Sequence, residues 1–139
     1  MNGALHWRAL AAGTGFNVGI SLLISFGGGF LFGLFDPSHF AVASFVLRLG
    51  SALADIGGGA IAGYIARRDG LLHGGITSLA ATALLVPISL LRIAWMSRGG
   101  AEVHLGASYW IDFGLWTAVG LFLAAVAGFL AVELRKPRA

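Results

Sequence analysis

Residues 52–63 read ALADIGGGAIAG. Every residue here is small or aliphatic except Asp55, and the solvent around that acid decides what the run is. It lies inside a longer apolar stretch, from about 41 to 66, that ends at Arg67-Arg68-Asp69-Gly70. About 20 apolar residues in helical form cross a hydrocarbon core of about 30 Å. Three more runs reach that length, near 9–35, 71–96 and 108–134, separated by Asp36-Pro37 and by Ser97-Arg98-Gly99-Gly100. The reading is a single all-α membrane domain over residues 1–139. It is a four-transmembrane-helix antiparallel bundle, rich in glycine, with both termini on one side.

Composition agrees with that solvent. Of the 139 residues, 58% are hydrophobic and 11% charged, where a soluble domain carries about 25% charged residues. Mean hydropathy is +0.87. The absence of cysteine excludes disulfides, thiolate chemistry and lipid attachment through cysteine. The pI near 10.2 is read as orientation, with no nucleic-acid partner expected, because the basic residues cluster at the ends of the apolar runs. Arg8, Arg67, Arg68, Arg135, Lys136 and Arg138 fall on one side and Arg98 alone on the other. The excess of Lys and Arg marks the cytoplasmic side, so both termini and the second loop are expected inside. Trp7, Trp95, Tyr109 and Trp110 lie near run ends, where aromatic rings anchor to the interface. The first run is too long for the apolar segment of a signal peptide and is read as a retained helix.

The 22 glycines point to close helix contact, since membrane helices associate through small residues that let backbones approach. Stripes at four-residue spacing run through Ser21, Ser25, Gly29 and Gly33, through Gly50, Ala54, Gly58 and Ala62, and through Ser51, Asp55, Gly59 and Gly63. On the fourth run the candidates are Gly114, Ala118, Ala125 and Gly128. Pro87 should bend the third helix.

An ionised Asp at the bilayer centre costs about 2.5–3.5 kcal/mol on insertion scales. Asp55 is therefore expected to face a neighbouring helix, on the side it shares with Gly59 and Gly63. Arg48 lies two turns away. Because helical side chains lean toward the N-terminus, a direct Arg48–Asp55 pair would be strained, and Arg48 is expected to find water or another helix. Arg92 and Asp112 should share a depth near the outer ends of their helices and pair. Arg48, Asp55, Arg92 and Asp112 thus form the candidate polar cluster. It is either a structural ion-pair network or a site for an ion or a small anionic solute.

Other chemistry is poorly supported. GTGFNVG, residues 13–19, has the wrong glycine spacing for a nucleotide loop and no strand before it. His6, His39, His73 and His104 form no i, i+4 pair or Glu-x-x-His pattern, so neither a metal nor another cofactor is expected. A serine nucleophile pattern and a second midplane acid are both missing, so no enzyme is expected.

DIGGGAIAGYIARRDGLLHGGITSL, residues 55–79, resembles the YrzE-like group of small four-helix bacterial membrane proteins. The shared features are the glycine-rich end of the second helix, a short basic turn, and Gly-Leu-Leu-His-Gly opening the third. The resemblance implies a bacterial inner-membrane location and carries no activity with it. GTGFNVGISLL, residues 13–23, has an Asn and glycines similar to the first segment of the small fluoride channels. The Gly-Gly-x-Thr-Thr-Phe-Ser-Thr-Phe run of that family is missing here. The expected function is structural or accessory, the chain packing through small-residue faces against itself or a membrane-protein partner within the lipid bilayer. The alternative is a small oligomeric channel or transporter that uses the Asp/Arg cluster.

Overall fold

The computed structural model describes residues 5–32, 40–98 and 106–136. Within them lie four α-helices and no strand: α1 (Trp7–Phe32), α2 (Phe40–Ala66), α3 (Gly70–Arg98) and α4 (Ala107–Arg135). All four are long and apolar enough to cross a membrane. α3 continues through Pro87 as one helix. Gly33 and the end of the first run near residue 35 lie outside the described residues, as do the surroundings of Gly29.

The packing inverts the plan of a soluble protein. Among the described residues, the buried apolar ones are all alanines: Ala9, Ala54, Ala62, Ala66, Ala81 and Ala124. The largest fully buried side chains are His73, Thr77 and Ser78, and Asn17 and Ser21 are buried with them. The bulky residues point outward; Leu23, Leu91, Trp95, Ile111, Phe122 and Leu134 are all exposed. Soluble domains keep exposed apolar patches small. A belt of Leu, Ile, Phe and Trp around a core of alanine and polar groups is stable where the surroundings are hydrocarbon. Together with helix length and composition, this marks a multi-pass membrane protein.

Glycine sets how close the helices come. α2 meets α4 along one seam. A Cβ added at Gly59 would run into the backbone of Ala124, one at Gly63 into the backbone of Gly128, and one at Gly120 into the Asp55 carboxylate. Each contact joins residue n of α2 to residue n + 65 of α4, so the seam holds one register. α3 joins the same place: Cβ atoms at Gly70 and Gly74 would strike the Gly128 and Ala124 carbonyls. α1 lies on the other side of α2, where Gly13 meets Gly58, Ala62 and Thr77, and Ile24 meets Gly50. Among the described residues, α2 and α3 each pack against every other helix, whereas α1 and α4 do not pack against one another.

The expected packing stripe on α4 is partly displaced. Gly114 faces open space and Ala118 is exposed. The seam uses Gly120, Ala124 and Gly128 instead. Six residues separate Gly114 from Gly120, which at 100° per residue places them on different faces.

The turn between α2 and α3 has three residues. Arg67 and Asp69 take positive φ, 63° and 49°, in the left-handed region where glycine usually ends a helix. The Arg67 N–H donates to the Gly63 carbonyl at 3.1 Å. His73 secures the turn. Its Nε2 accepts the His6 backbone N–H at 3.0 Å, so the ring proton belongs on Nδ1, which donates to the Asp69 carbonyl at 3.0 Å. One buried imidazole thus ties the start of α1 to the α2–α3 turn.

These contacts separate two glycines by outcome. Gly63→Ala forces a methyl into the Gly128 backbone and should destabilise by about 1–3 kcal/mol. Gly15 has nothing within 4 Å of an added Cβ, so Gly15→Ala should stay within about 0.5 kcal/mol of wild type or stabilise. Thermal melts in detergent compare them, and equal losses would show that backbone proximity is not what the seam depends on.

Candidate functional site

Asp55 stands where α1, α2, α3 and α4 converge. Its Oδ1 accepts the Asn17 Nδ2–H from α1 at 2.8 Å and the Ser78 hydroxyl from α3 at 2.6 Å. Ser21, one turn along α1, donates to Asn17 Oδ1 at 3.2 Å and fixes which way that amide faces. α4 contributes an absence of side chain: Gly120 leaves room for Asp55 Oδ2. Counted along the helices, Asn17, Asp55 and Ser78 lie about 12–17 Å from the helix ends near the α2–α3 turn. That is near the middle of a bilayer core of about 30 Å. Two donors on one oxygen offset part of the desolvation of the carboxylate.

The charged residues assort differently from the sequence expectation. Arg48 Nη2 pairs with Asp112 Oδ2 at 2.6 Å, extending the α2–α4 seam by two more turns. The Arg48 guanidinium also lies over the Trp116 ring, 5.3 Å from its centroid. Arg92 takes no part in this. Its guanidinium sits 5.9 Å from the centroid of the Phe26 ring on α1, which corrects the expected Arg92–Asp112 pair. Arg92 lies on the α3 face toward α1, while Asp112 lies on the α4 face toward α2. Arg48 does find its partner on another helix. Among the described residues, no Lys or Arg forms an ion pair with Asp55.

A cleft of about 180 Å³ opens between α2, α3 and α4. Asp55, Ser51, Ser78, Thr82, Ser89 and Thr117 give it oxygen donors and acceptors, and Phe113 and Trp116 form part of its wall. The space is large enough to hold several water molecules. A second void of about 80 Å³ is shared by Arg48, Ser51, Asp55 and Gly120, with Trp116 lining both. Every lining residue lies level with Asp55, Ser78 and Gly120 or toward the Arg48–Asp112 end. On the other side the Gly59–Ala124, Gly63–Gly128 and Gly70–Gly128 contacts bring backbone against backbone. The polar space is thus one-sided, with Asp55 at its inner limit.

Asn17, Ser78 and Gly120 carry the site as much as Asp55 does. Asn17 was legible in principle, as an amide in an apolar helix that needs a partner at its own depth. Ser78 and Gly120 had no signal beyond being small. The cluster counts one guanidinium, Arg48, against two carboxylates, Asp112 and Asp55. Among the described residues, no group of three or more His, Asp or Glu side chains is placed to hold a metal ion. The chain matches no protein-family model, no curated protein and no solved structure.

Neighbouring hydroxyls on α3 differ in what they satisfy. Ser78 donates to Asp55, whereas Thr77 Oγ1 is buried and has no hydrogen-bond partner among the described residues. Ser78→Ala should cost about 1.5–3 kcal/mol, the range for a hydrogen bond to a charged group, and Thr77→Val should be neutral or stabilising. Denaturation in mild detergent measures both, and a larger loss for Thr77→Val would reverse the assignment.

Proposed function

We propose that the chain is a small channel or transporter of the bacterial inner membrane, and that its cleft takes a small monovalent cation or a cationic solute at Asp55. The observation that carries this reading is the unmatched charge. Arg48 is engaged by Asp112, which leaves the Asp55 carboxylate facing a cleft lined by hydroxyls. Carboxylate and hydroxyl oxygens suit hard cations, and they disfavour an anionic solute in the same space. An ionisable residue within a membrane span is a functional candidate by default.

In this reading the helices form an antiparallel up-and-down bundle, with both termini and the Arg67–Arg68 turn in the cytoplasm. Contacts along α1 and α2 run in opposite sequence order, as do those along α3 and α4, which supports the arrangement. The basic turn and α4 end support the orientation. The small-residue α2–α4 seam then acts as a glycine zipper that closes the cytoplasmic half, and the cleft faces outward. Transport requires that seam to loosen or a second copy to complete the path.

One observation favours the accessory reading. Gly15, Gly19 and Gly27 on α1 have open space around them, as a helix face reserved for another membrane helix would. Flux through liposomes separates the two. Wild type should pass protons, sodium or potassium down a gradient, chloride should not follow, and Asp55→Asn should reduce the cation rate at least about tenfold. Chloride flux that survives in Asp55→Asn would reverse the sign of the site. No flux of any ion would leave the accessory role as the better account.

A further inference from the structure

Another cavity lies at the end of the bundle that carries the Arg67–Arg68 turn. It is a groove of about 670 Å³ between α2 and α4. Ala60 and Ala131 deepen it because their side chains are short, and Ile61, Ile65 and Leu134 make its surface almost wholly apolar. Tyr64 and Arg135 stand at the end where both helices finish.

Arg135 is held in a defined pose. Its Nη1 donates to the Tyr64 carbonyl at 2.7 Å, one of the last carbonyls of α2, which have no donor within the helix. Its guanidinium also stacks 4.3 Å from the centroid of the Tyr64 ring. Capping and stacking fix the plane of the fork and leave further N–H donors, because a guanidinium carries five. Lys136 is spent on Glu133 at 2.6 Å. Arg67 and Arg68, on the turn just beyond Tyr64, add two more positive charges against Asp69. An open apolar groove thus ends at an oriented guanidinium in a net positive field. The complement to that pattern is one acyl chain joined to one phosphate.

We propose that this groove is a binding site for an anionic phospholipid, with an acyl chain along Ala60, Ile61 and Ala131 and the headgroup phosphate on Arg135. A planar fork engages phosphate oxygens in pairs, which an ammonium does not. The positive turn selects an anionic lipid over a zwitterionic one. The site is independent of the Asp55 cleft and holds whether or not the protein conducts ions.

Titration of the full chain in detergent with phosphatidylglycerol and phosphatidylcholine, read by native mass spectrometry, tests it. Wild type should prefer phosphatidylglycerol by about tenfold. Arg67→Gln/Arg68→Gln removes the positive turn and should lose most of that preference, whereas Arg135→Lys keeps the charge but loses the fork and the stack, and should weaken binding of both lipids. Ala131→Phe keeps every charge but fills the groove, and should weaken binding of both lipids. Preference is a ratio between two lipids on one variant, so a general loss of stability cancels from it. Equal affinity for the two lipids in wild type overturns the proposal. A full preference in Arg67→Gln/Arg68→Gln also overturns it, and so does undiminished binding in Arg135→Lys or in Ala131→Phe.

Discussion

The fixed register between α2 and α4 is the constraint on which the rest depends. Where Gly59 meets Ala124 and Gly63 meets Gly128, no side chain separates the two backbones, and neither helix can slide or rotate without collision. That lock places Gly120 beside Asp55 and Arg48 beside Asp112. In hydrocarbon the helices gain little from hiding apolar surface, since the lipid is as apolar as the core. Close packing and satisfied polar groups remain as the forces that choose one arrangement, and this seam uses both. Dispersion contacts act at its glycine end and hydrogen bonds and an ion pair at its polar end.

The same division explains the cleft. Small side chains bring backbones together in the half near the α2–α3 turn and close it. In the other half the α4 stripe continues through Trp116 and Asp112, and these larger residues hold the helices apart. The space left between them is lined by serine and threonine hydroxyls. These side chains are short enough to leave room and polar enough to line it. Asp55 sits at the boundary between the two halves, close to helix backbones on one side and to the polar space on the other.

How much of this was legible in the sequence follows from what each feature requires. Four long apolar helices needed only run length and composition, and both were strong. That Asp55 must avoid lipid followed from the cost of an exposed carboxylate, and its spacing to Gly59 and Gly63 pointed to the face it uses. The ion pairs were not legible. Arg48 and Arg92 both lie toward the Asp112 end of the bundle, and which guanidinium meets that carboxylate depends on the rotation of each helix about its axis. A step of one residue turns a helix by about 100°, so depth alone does not settle partners. The α4 stripe failed for the same reason: Gly114 and Gly120 are equally small, and only the seam selects between them. The partner of Asn17 was not legible either, because its bond to Asp55 depends on how α1 docks against α2.

The contact between Asp55 and Gly120 is where the packing half and the polar half of the account meet, and a double-mutant cycle measures it directly. Gly120→Ala should destabilise the protein by adding a methyl against the carboxylate, and Asp55→Ala should destabilise it by leaving the Asn17 amide and the Ser78 hydroxyl without their acceptor. Combined, the two should cost less than their sum by at least about 1 kcal/mol, because the smaller side chain at 55 makes room for the methyl. Strict additivity would mean that α4 does not pack against Asp55, and would contradict the register on which the whole arrangement rests.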